Sequence, residues 1–398
     1  MAFEDWNYTV PGNLTTAKAE YRNLSSAYRL DIPYDAAESL PGLEGCPLRT
    51  QQGNVWAVLL AGGDGQRPKS TTSALGVSTP TQYCLLNGGA SPLHLSLRRA
   101  LAVSSRERIV AVVTEAHRSW WEREFVALQR TNVVVQPCNR GTGLGVLLPL
   151  LVIAKSDPEA GVICIPSDHY VEHEDVLAQA MRQATSAGVL SSDKITMLGM
   201  SPNAPDSGFG YLSPAPDSGF GMRPVLKFTE KPDEAVAAEL IRAGGLWSSG
   251  IFAGRVSRLL DLYSRVAPGL MFDLKGILEH WPDSFSYGAK LATLYARHPP
   301  LDFSRDVLQK HPDRLQFLTV PPCGWSDVGT PERLAKIPQA LGPIRDDSAA
   351  SIRSFNLATA FDRAAFGERT SSPDLSHFVH GSFLKFATNA RLPPNDEK

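Results

Sequence analysis

The chain has 398 residues, 43% of them hydrophobic, which is enough for one large domain or two ordinary ones with a substantial core. Its formal net charge of -2 at pH 7 excludes a bulk electrostatic attraction to nucleic acid or to an anionic membrane, so an anionic ligand would need a local site. Five cysteines without CxxC spacing, no apolar run near the roughly 20 residues of a membrane span, and an N-terminus unlike a signal peptide predict a reduced, cytoplasmic protein.

Strand-like and helix-like stretches alternate along the chain from Asn54 onward. The runs "VWAVLLA", "RIVAVVT", "TNVVVQP" and "GVICIPS" predict strands, and "SPLHLSLRRALAV" and "LGVLLPLLVIAKS" predict helices between them. This alternation indicates a three-layer, Rossmann-like α/β fold, in which helices cover both faces of a mostly parallel sheet. Residues 1–53 are predicted to be an N-terminal extension, 54–338 the main domain, and the polar residues 339–398 a partly disordered tail.

A smaller β-rich region is predicted at about 194–253, where strands follow one another without intervening helices. It contains a duplication of "APDSGFG", at 204–210 and again at 215–221. The short distance between the copies is typical of a hairpin rather than of a solenoid repeat.

A glycine-rich turn follows the first predicted strand, in "LLAGGDGQRPKS" (59–70). Its glycines resemble a dinucleotide-binding turn or a P-loop, but Pro68 breaks both patterns because proline lacks an N–H and has a fixed φ. What remains is a turn through which backbone can approach a ligand closely, and Arg67 can grip phosphate from it. The turn therefore favours nucleotide chemistry, with an ordinary tight turn and a solvated arginine as the alternative.

One aspartate, Asp168, occupies a position suited to a cation, and a second, Asp327, follows much later in the chain. Asp168 ends the buried strand "GVICIPSDH", and ligands of open α/β sheets collect at the carboxyl ends of strands. Its carboxylate suits Mg²⁺, although an Asp after a strand is often a helix cap. Asp327, in "WSDVGT", is equally typical of an Asx-turn.

Several stretches, in order and spacing, resemble one known family. They are "LAGGDGQR", "QPCNRGTGLG" (136–145), "IPSDHYV" (165–171), "FTEKPD" (228–233) and "GWSDVGTPERL" (324–334). Together they resemble the sugar-nucleotide pyrophosphorylases, specifically bacterial mannose-1-phosphate guanylyltransferases, over roughly residues 54–338. The resemblance implies a nucleotidyltransferase fold. It also implies transfer of a nucleotidyl group from an NTP, by this likeness GTP, to a sugar 1-phosphate such as mannose 1-phosphate, with Mg²⁺ as cofactor and a homodimer as an assembly to test.

The resemblance also assigns roles to residues. Catalytic roles fall to Arg67, Asp168, Lys231 and Asp327, with Asp168 and Asp327 as the paired Mg²⁺ ligands. Nucleotide binding falls to Leu60, Ala61, Gly62, Gly63, Gly65, Arg67, Gln136, Arg140 and Thr142. Sugar binding falls to Gly208, Tyr211, Glu230, Lys231 and Ser248. Outside the resemblance, the loop at 136–142 is as typical of a capped strand-to-helix turn, and Glu-Lys-Pro of a charged turn.

The chain departs from the family pattern at a phosphate-contacting lysine, where Thr81 stands between Pro80 and Gln82. Removing one such charge-stabilising group costs about 3–4 kcal/mol of transition-state stabilisation. Lys69 is a hypothetical replacement, since lysine is a flexible point charge. Three functions stay open: an active GTP-dependent enzyme, a weakened regulatory relative that binds sugar nucleotide, and a pyrophosphorylase for another NTP and sugar.

Overall fold

The computed structural model describes residues 55–64, 80–83, 90–125, 128, 132–216, 221–279, 281, 285–328 and 333. They all belong to one compact unit that spans 48–346. The predicted extension 1–53 and tail 339–398 lie outside the described residues, as do Gly65, Arg67 and Lys69.

A large sheet forms the centre of this unit. Its strands are β1 (Val55–Ala61), β2 (Ile109–Thr114), β3 (Val133–Gln136), β4 (Gly161–Pro166), β6 (Ile195–Met200), β7 (Gly210–Pro214), β8 (Met222–Glu230), β9 (Leu246–Arg255) and β10 (Leu315–Thr319). The strand order is β3-β2-β1-β4-β9-β6-β10-β8-β7, and β7 also pairs with β9. Two short strands, β5 (His169–Tyr170) and β11 (Ser326–Asp327), form a separate ladder.

The sheet is parallel in its first half and mixed in its second. β1 pairs in parallel with β2 and β4, and β2 pairs in parallel with β3. Two strands, β8 and β9, run against their neighbours, and both belong largely to the predicted β-rich part. The chain order reverses beside β1, because β2 and β3 lie on one side of it and β4 on the other. Such a reversal opens a crevice at the carboxyl ends of the strands.

Helices pack on the two faces of the sheet. They are α1 (Pro92–Leu101), α2 (Arg118–Glu124), α3 (Thr142–Ser156), α4 (Glu174–Ala184), α5 (Ala187–Leu190), α6 (Glu234–Arg242), α7 (Val256–Val266), α8 (Pro268–Leu278) and α9 (Phe285–Arg297). Alternate residues of β1 face opposite sides: Val58 packs in a cluster with α3, α7, α8 and α9, and Leu59 in a cluster with α1 and α4. The predicted three-layer α/β fold is therefore confirmed.

Local sequence signals set where two of these helices begin. Ser91 caps α1, since its Oγ accepts a hydrogen bond from the His94 amide at 3.1 Å, and Pro92 occupies the first turn. Asp233 caps α6 by accepting from the Val236 amide at 2.8 Å. Across the described part of the chain, each helix is too short or too polar to cross a lipid bilayer.

Candidate active site

A cleft of about 570 Å³ opens at the carboxyl ends of β1 and β4, at the reversal of strand order. We call the lining residues from β1 to the start of α3 the nucleotide side; they include Leu60, Gly62, Gly63, Thr81, Gln82, Gln136, Asn139 and Thr142. We call those from the second half of the sheet the sugar side; they include Gly208, Phe209, Glu230, Lys231 and Ser248. Asp168 and Asp327 line the same cleft.

The β5–β11 ladder brings the two aspartates together. Asp327 pairs with His169 across this antiparallel ladder, and the Val328 amide donates to the Asp168 carbonyl at 2.8 Å. The residue that caps α4 is His173, so Asp168 is not the cap of the following helix. Residues more than 150 positions apart in the sequence thus present their carboxylates to one space.

Burial disfavours the ionised form of both carboxylates, and charge repulsion adds to this effect at Asp168. The Asp168 side chain is 46% exposed to the cleft, yet the surrounding protein and the negative charge of Asp327 raise its pKa to about 6. Burial also raises the pKa of Asp327, an effect that the nearby Arg333 guanidinium opposes. A cleft carboxylate whose ionisation is disfavoured by burial and by a neighbouring acid is typical of a functional site.

The donor set fits a hard divalent cation. Within the described residues, no group of three or more His, Cys, Asp or Glu side chains is arranged to hold a metal ion. Mg²⁺ does not need such a cage, because it binds through one or two carboxylates and completes its shell with phosphate oxygens and water. His169 lies beside this pair, with its Nε2 3.8 Å from Asp168 Oδ1, but Mg²⁺ prefers oxygen to nitrogen ligands. Burial and the neighbouring Arg99 lower the pKa of His169 to about 3.

The glycine turn on the nucleotide side is held by two glutamines. A Cβ on Gly62 would lie 2.3 Å from Nε2 of Gln136, so the absence of a side chain at this position makes room for that amide. Gln136 is itself buried, and its Oε1 accepts from the Tyr295 hydroxyl at 3.1 Å. Gln82 Nε2 donates to the Gly63 carbonyl at 2.9 Å. Gln136 therefore lies directly against the glycine turn, and both line the cleft.

Two residues predicted to bind nucleotide are not among those that line the cleft. Ala61 is fully buried in the apolar cluster under α1, because alternate residues of a strand face opposite sides. Arg140 donates from Nε to the Tyr295 carbonyl at 2.7 Å and so contacts α9. Asn139 lines the cleft in its place. Thr142 lines the cleft as predicted, and its Oγ1 accepts from the Phe303 amide at 2.9 Å.

The Glu-Lys-Pro segment carries the charges of the sugar side. Glu230 is 8% exposed, and burial raises its pKa, while Lys231 Nζ lies 3.7 Å from its Oε1. Lys231 has φ of 47°, a left-handed conformation that is uncommon for a residue other than glycine. Strain of this kind collects at functional sites, which favours a functional role over an ordinary charged turn. Ser248 lines the cleft nearby.

Two residues predicted to bind sugar, Tyr211 and Gly208, contact protein groups. Tyr211 is fully buried: its hydroxyl accepts from Trp247 Nε1 and the Asp206 amide and donates to the Asp206 carbonyl, each at 3.0 Å. It therefore shapes the loop before it and has no hydrogen left for a sugar. Gly208 lines the cleft, and a Cβ there would lie 2.3 Å from Nη2 of Arg333, so the absence of a side chain makes room for that guanidinium.

Arg333 is a site residue that the sequence did not indicate. Its Nη1 donates to both carboxylate oxygens of Asp327 at 2.7 Å, and its Nη2 donates to Asp206 Oδ1 at 2.8 Å. The guanidinium carbon lies 3.9 Å from the ring centre of Phe209. Arg333 thus compensates charge at one predicted cation ligand and ties it to the sugar-side loop. The lining residues absent from the prediction include Asn139, Asp302, Phe303 and Ser304.

Thr81, which stands at the position of the family's phosphate-contacting lysine, lines the cleft. It begins a short 3₁₀ turn, Thr81–Tyr83, that lines the cleft, and it is only 8% exposed. A hydroxyl at this edge of the cleft brings no positive charge.

The second copy of the duplicated segment has its residues 217–220 outside the described part, whereas Gly208, Phe209 and Gly210 of the first copy line the cleft.

Comparison with known proteins agrees with this architecture. The model of the nucleotidyl transferase family matches residues 56–342. The alginate biosynthesis protein AlgA of Pseudomonas syringae is 29% identical over 284 residues, which cover 68% of this chain and 56% of that protein. The mannose-1-phosphate guanylyltransferase of Escherichia coli is 26% identical over 291 residues, covering 70% and 59%. The chain thus aligns with little more than half the length of these relatives.

A solved structure shares the fold. It is described as a mannose-1-phosphate geranyltransferase from Thermus thermophilus, with a TM-score of 0.60 and 24% identity over 70% of this chain and 77% of that one. The family match extends over well more than half of the chain and spans every element that lines the cleft. The chain therefore belongs to the nucleotidyl transferase family.

Proposed function

We propose that the chain transfers a guanylyl group from GTP to mannose 1-phosphate, giving GDP-mannose and pyrophosphate. One observation carries this proposal: Asp168 and Asp327 converge in a cleft whose lining joins the predicted nucleotide side to the predicted sugar side. The names of the relatives, among them a mannose-1-phosphate guanylyltransferase, support the choice of GTP and mannose.

The reaction needs positioning and charge neutralisation more than proton transfer. A phosphate oxygen of mannose 1-phosphate attacks the α-phosphorus of GTP and forms a new P–O bond, and the bond from the α-phosphorus to the bridging oxygen of pyrophosphate breaks. Pyrophosphate leaves with that electron pair. The attacking oxygen is already ionised, so no general base is required, and the barrier falls as the reactants are aligned and their charge is offset.

The residues of the cleft divide this work. Asp168 and Asp327 would hold Mg²⁺, which when bound neutralises phosphate charge. Lys231, half exposed beside the buried Glu230, would meet the sugar phosphate, while Glu230 would accept hydrogen bonds from sugar hydroxyls. Gln136 would read the base edge, held in place by Tyr295. Arg67, predicted to clamp the triphosphate, lies outside the described residues.

A single assay tests the proposal. The purified chain is incubated with MgCl₂, mannose 1-phosphate and each of the four ribonucleoside triphosphates, and pyrophosphate release is followed. Release with GTP alone is expected. Release with a different triphosphate alone would contradict the choice of GTP, and repeating that reaction with glucose 1-phosphate would then identify the sugar. Asp168→Asn removes one proposed cation ligand and should lose this release, and Asp273→Asn, which changes an exposed carboxylate on α8, is its matched control.

Thr81 favours a second candidate function, a regulatory relative that binds sugar nucleotide with little turnover. The cleft edge holds a hydroxyl where the family pattern has an ammonium group. Under this alternative no triphosphate releases pyrophosphate, while calorimetry detects binding of GDP-mannose.

A homodimer and a cytoplasmic location stay predictions from the sequence, as does the cofactor Mg²⁺.

A further inference from the structure

The turn that carries Asp168 is held at nearly every carbonyl. The Pro166 carbonyl accepts from Ser96 Oγ at 2.9 Å, the Asp168 carbonyl from the Val328 amide at 2.8 Å, and the His169 carbonyl from Arg99 Nη1 at 3.1 Å. On the nucleotide side, Ser167 Oγ donates to the Leu60 carbonyl at 2.8 Å. Two of these donors, Ser96 and Arg99, come from α1, which otherwise packs its apolar residues against the sheet.

Arg99 is unusual because its charged side chain is almost completely buried in the protein. Its side chain is 2% exposed, and its Nε and Nη2 donate to the two carboxylate oxygens of Glu174 at 2.9 and 2.6 Å. Glu174 is the first residue of α4. The one guanidinium thus joins α1 to both ends of the segment that follows Asp168. Burying an ion pair is rarely worth more than apolar packing, so a buried arginine here calls for a geometric reason.

We propose that Arg99 is a positioning residue for the cation carboxylate Asp168, a role that rests on the function proposed above. Arg99 is not among the residues that line the cleft. It acts through the His169 carbonyl, which fixes the backbone immediately after Asp168.

The position of Asp168 in the cleft gives this restraint its purpose. A cation held by carboxylates from two distant parts of the chain needs both of them fixed in place before it binds. The β5–β11 ladder holds the turn from the side of Asp327. Helix α1 holds it at the Pro166 and His169 carbonyls, before and after Asp168. Removing the contacts from α1 should therefore weaken cation binding and slow turnover, even where the protein stays folded.

Arg99→Met and Arg99→Lys test this role, with Arg98→Met as matched control because Arg98 is the exposed neighbour on the same helix. Mn²⁺ binding to the protein alone is measured by the electron paramagnetic resonance of free Mn²⁺, together with the melting temperature, kcat and KM. A displaced catalytic group typically slows an enzyme by about tenfold to a hundredfold, so we expect Arg99→Met to lower kcat and to raise the Kd of Mn²⁺ by about tenfold. KM for mannose 1-phosphate should not change. Arg99→Lys should recover part of the loss, and Arg98→Met should match the wild type.

Ser96→Ala keeps the test decisive if Arg99→Met fails to fold. It removes the contact to the Pro166 carbonyl and a long 3.5 Å contact from Arg99 Nη1, and it leaves the bonds from Arg99 to Glu174 and to the His169 carbonyl in place. It should raise the Kd of Mn²⁺ in the same direction by a smaller factor. A lower melting temperature with unchanged Mn²⁺ affinity and unchanged kcat would overturn the proposal and leave Arg99 a purely structural residue. A wild-type protein that neither binds Mn²⁺ nor turns over would refute the proposed function and this inference with it. A working wild type that Arg99→Met and Ser96→Ala both match would refute this inference alone.

Discussion

Replacing Asp168 by asparagine should stabilise the cation-free protein. The substitution keeps the shape of the side chain and removes the charge that burial and Asp327 disfavour. A pKa raised from 3.8 to about 6 corresponds to about 3 kcal/mol of unfavourable ionisation. Because the side chain is 46% exposed, solvent screens much of this, and we expect a gain of about 1 kcal/mol.

The stability gained by Asp168→Asn should increase as pH rises. The pKa of Asp168 is higher in the folded than in the unfolded state, so the folded wild type binds the extra proton between about pH 4 and pH 6 and loses stability as pH rises through that range. Asp168→Asn lacks this loss. The difference between variant and wild type should therefore be complete above about pH 7 and should vanish below about pH 4.

Thermal unfolding in the presence of EDTA measures this difference. At pH 7.5 the melting temperature of Asp168→Asn should exceed that of the wild type by about 2 °C, the shift typical of 1 kcal/mol in a domain of this size. Addition of MgCl₂ should raise the melting temperature of the wild type and leave that of the variant unchanged. A variant less stable than the wild type at pH 7.5, or a difference that is the same at pH 4, would refute the reasoning. Asp273→Asn serves as the control.

Three further substitutions probe other parts of the cleft. Thr81→Lys should increase kcat for pyrophosphate release by about tenfold or more, because it places a cation at the cleft edge, and an unchanged kcat would show that Thr81 does not limit the rate. Gly62→Ala should raise KM for GTP and leave KM for mannose 1-phosphate unchanged, because its Cβ would displace the Gln136 amide; equal changes in both constants would contradict this. Arg333→Met should raise the pKa of Asp327 further, because it removes the positive charge that opposes the effect of burial. The pH at which Mn²⁺ binding is half lost should therefore be higher than in the wild type. A lower pH would be inconsistent with charge compensation by Arg333.

The sequence predicted the layered fold because its local signals agree with its long-range ones. "GVICIP" is apolar throughout, as expected of a strand covered on both faces, and Ser91 with Pro92 marks the start of α1. The position of Asp168 at the end of that strand followed from the same pattern. Motif spacing placed Glu230, Lys231 and Asp327 in the candidate site, and the structure brings all of them to one cleft with Asp168.

The remaining features depend on partners far away in the sequence. The direction in which Arg140 points is decided by Tyr295, 155 residues later, and the enclosure of Tyr211 by Trp247 on another strand. No local signal shows that the antiparallel strand β9 inserts between β4 and β6. Arg333 is an ordinary arginine in the sequence, and only the folded chain brings it against Asp327 and Asp206.

The location of the divalent cation tests the central claim most directly. Crystals of the chain soaked with MnCl₂ and GDP-mannose would show Mn²⁺ by anomalous scattering. The account predicts one peak within coordinating distance of carboxylate oxygens from both Asp168 and Asp327. A peak bound to only one of these residues, or to neither, would contradict it.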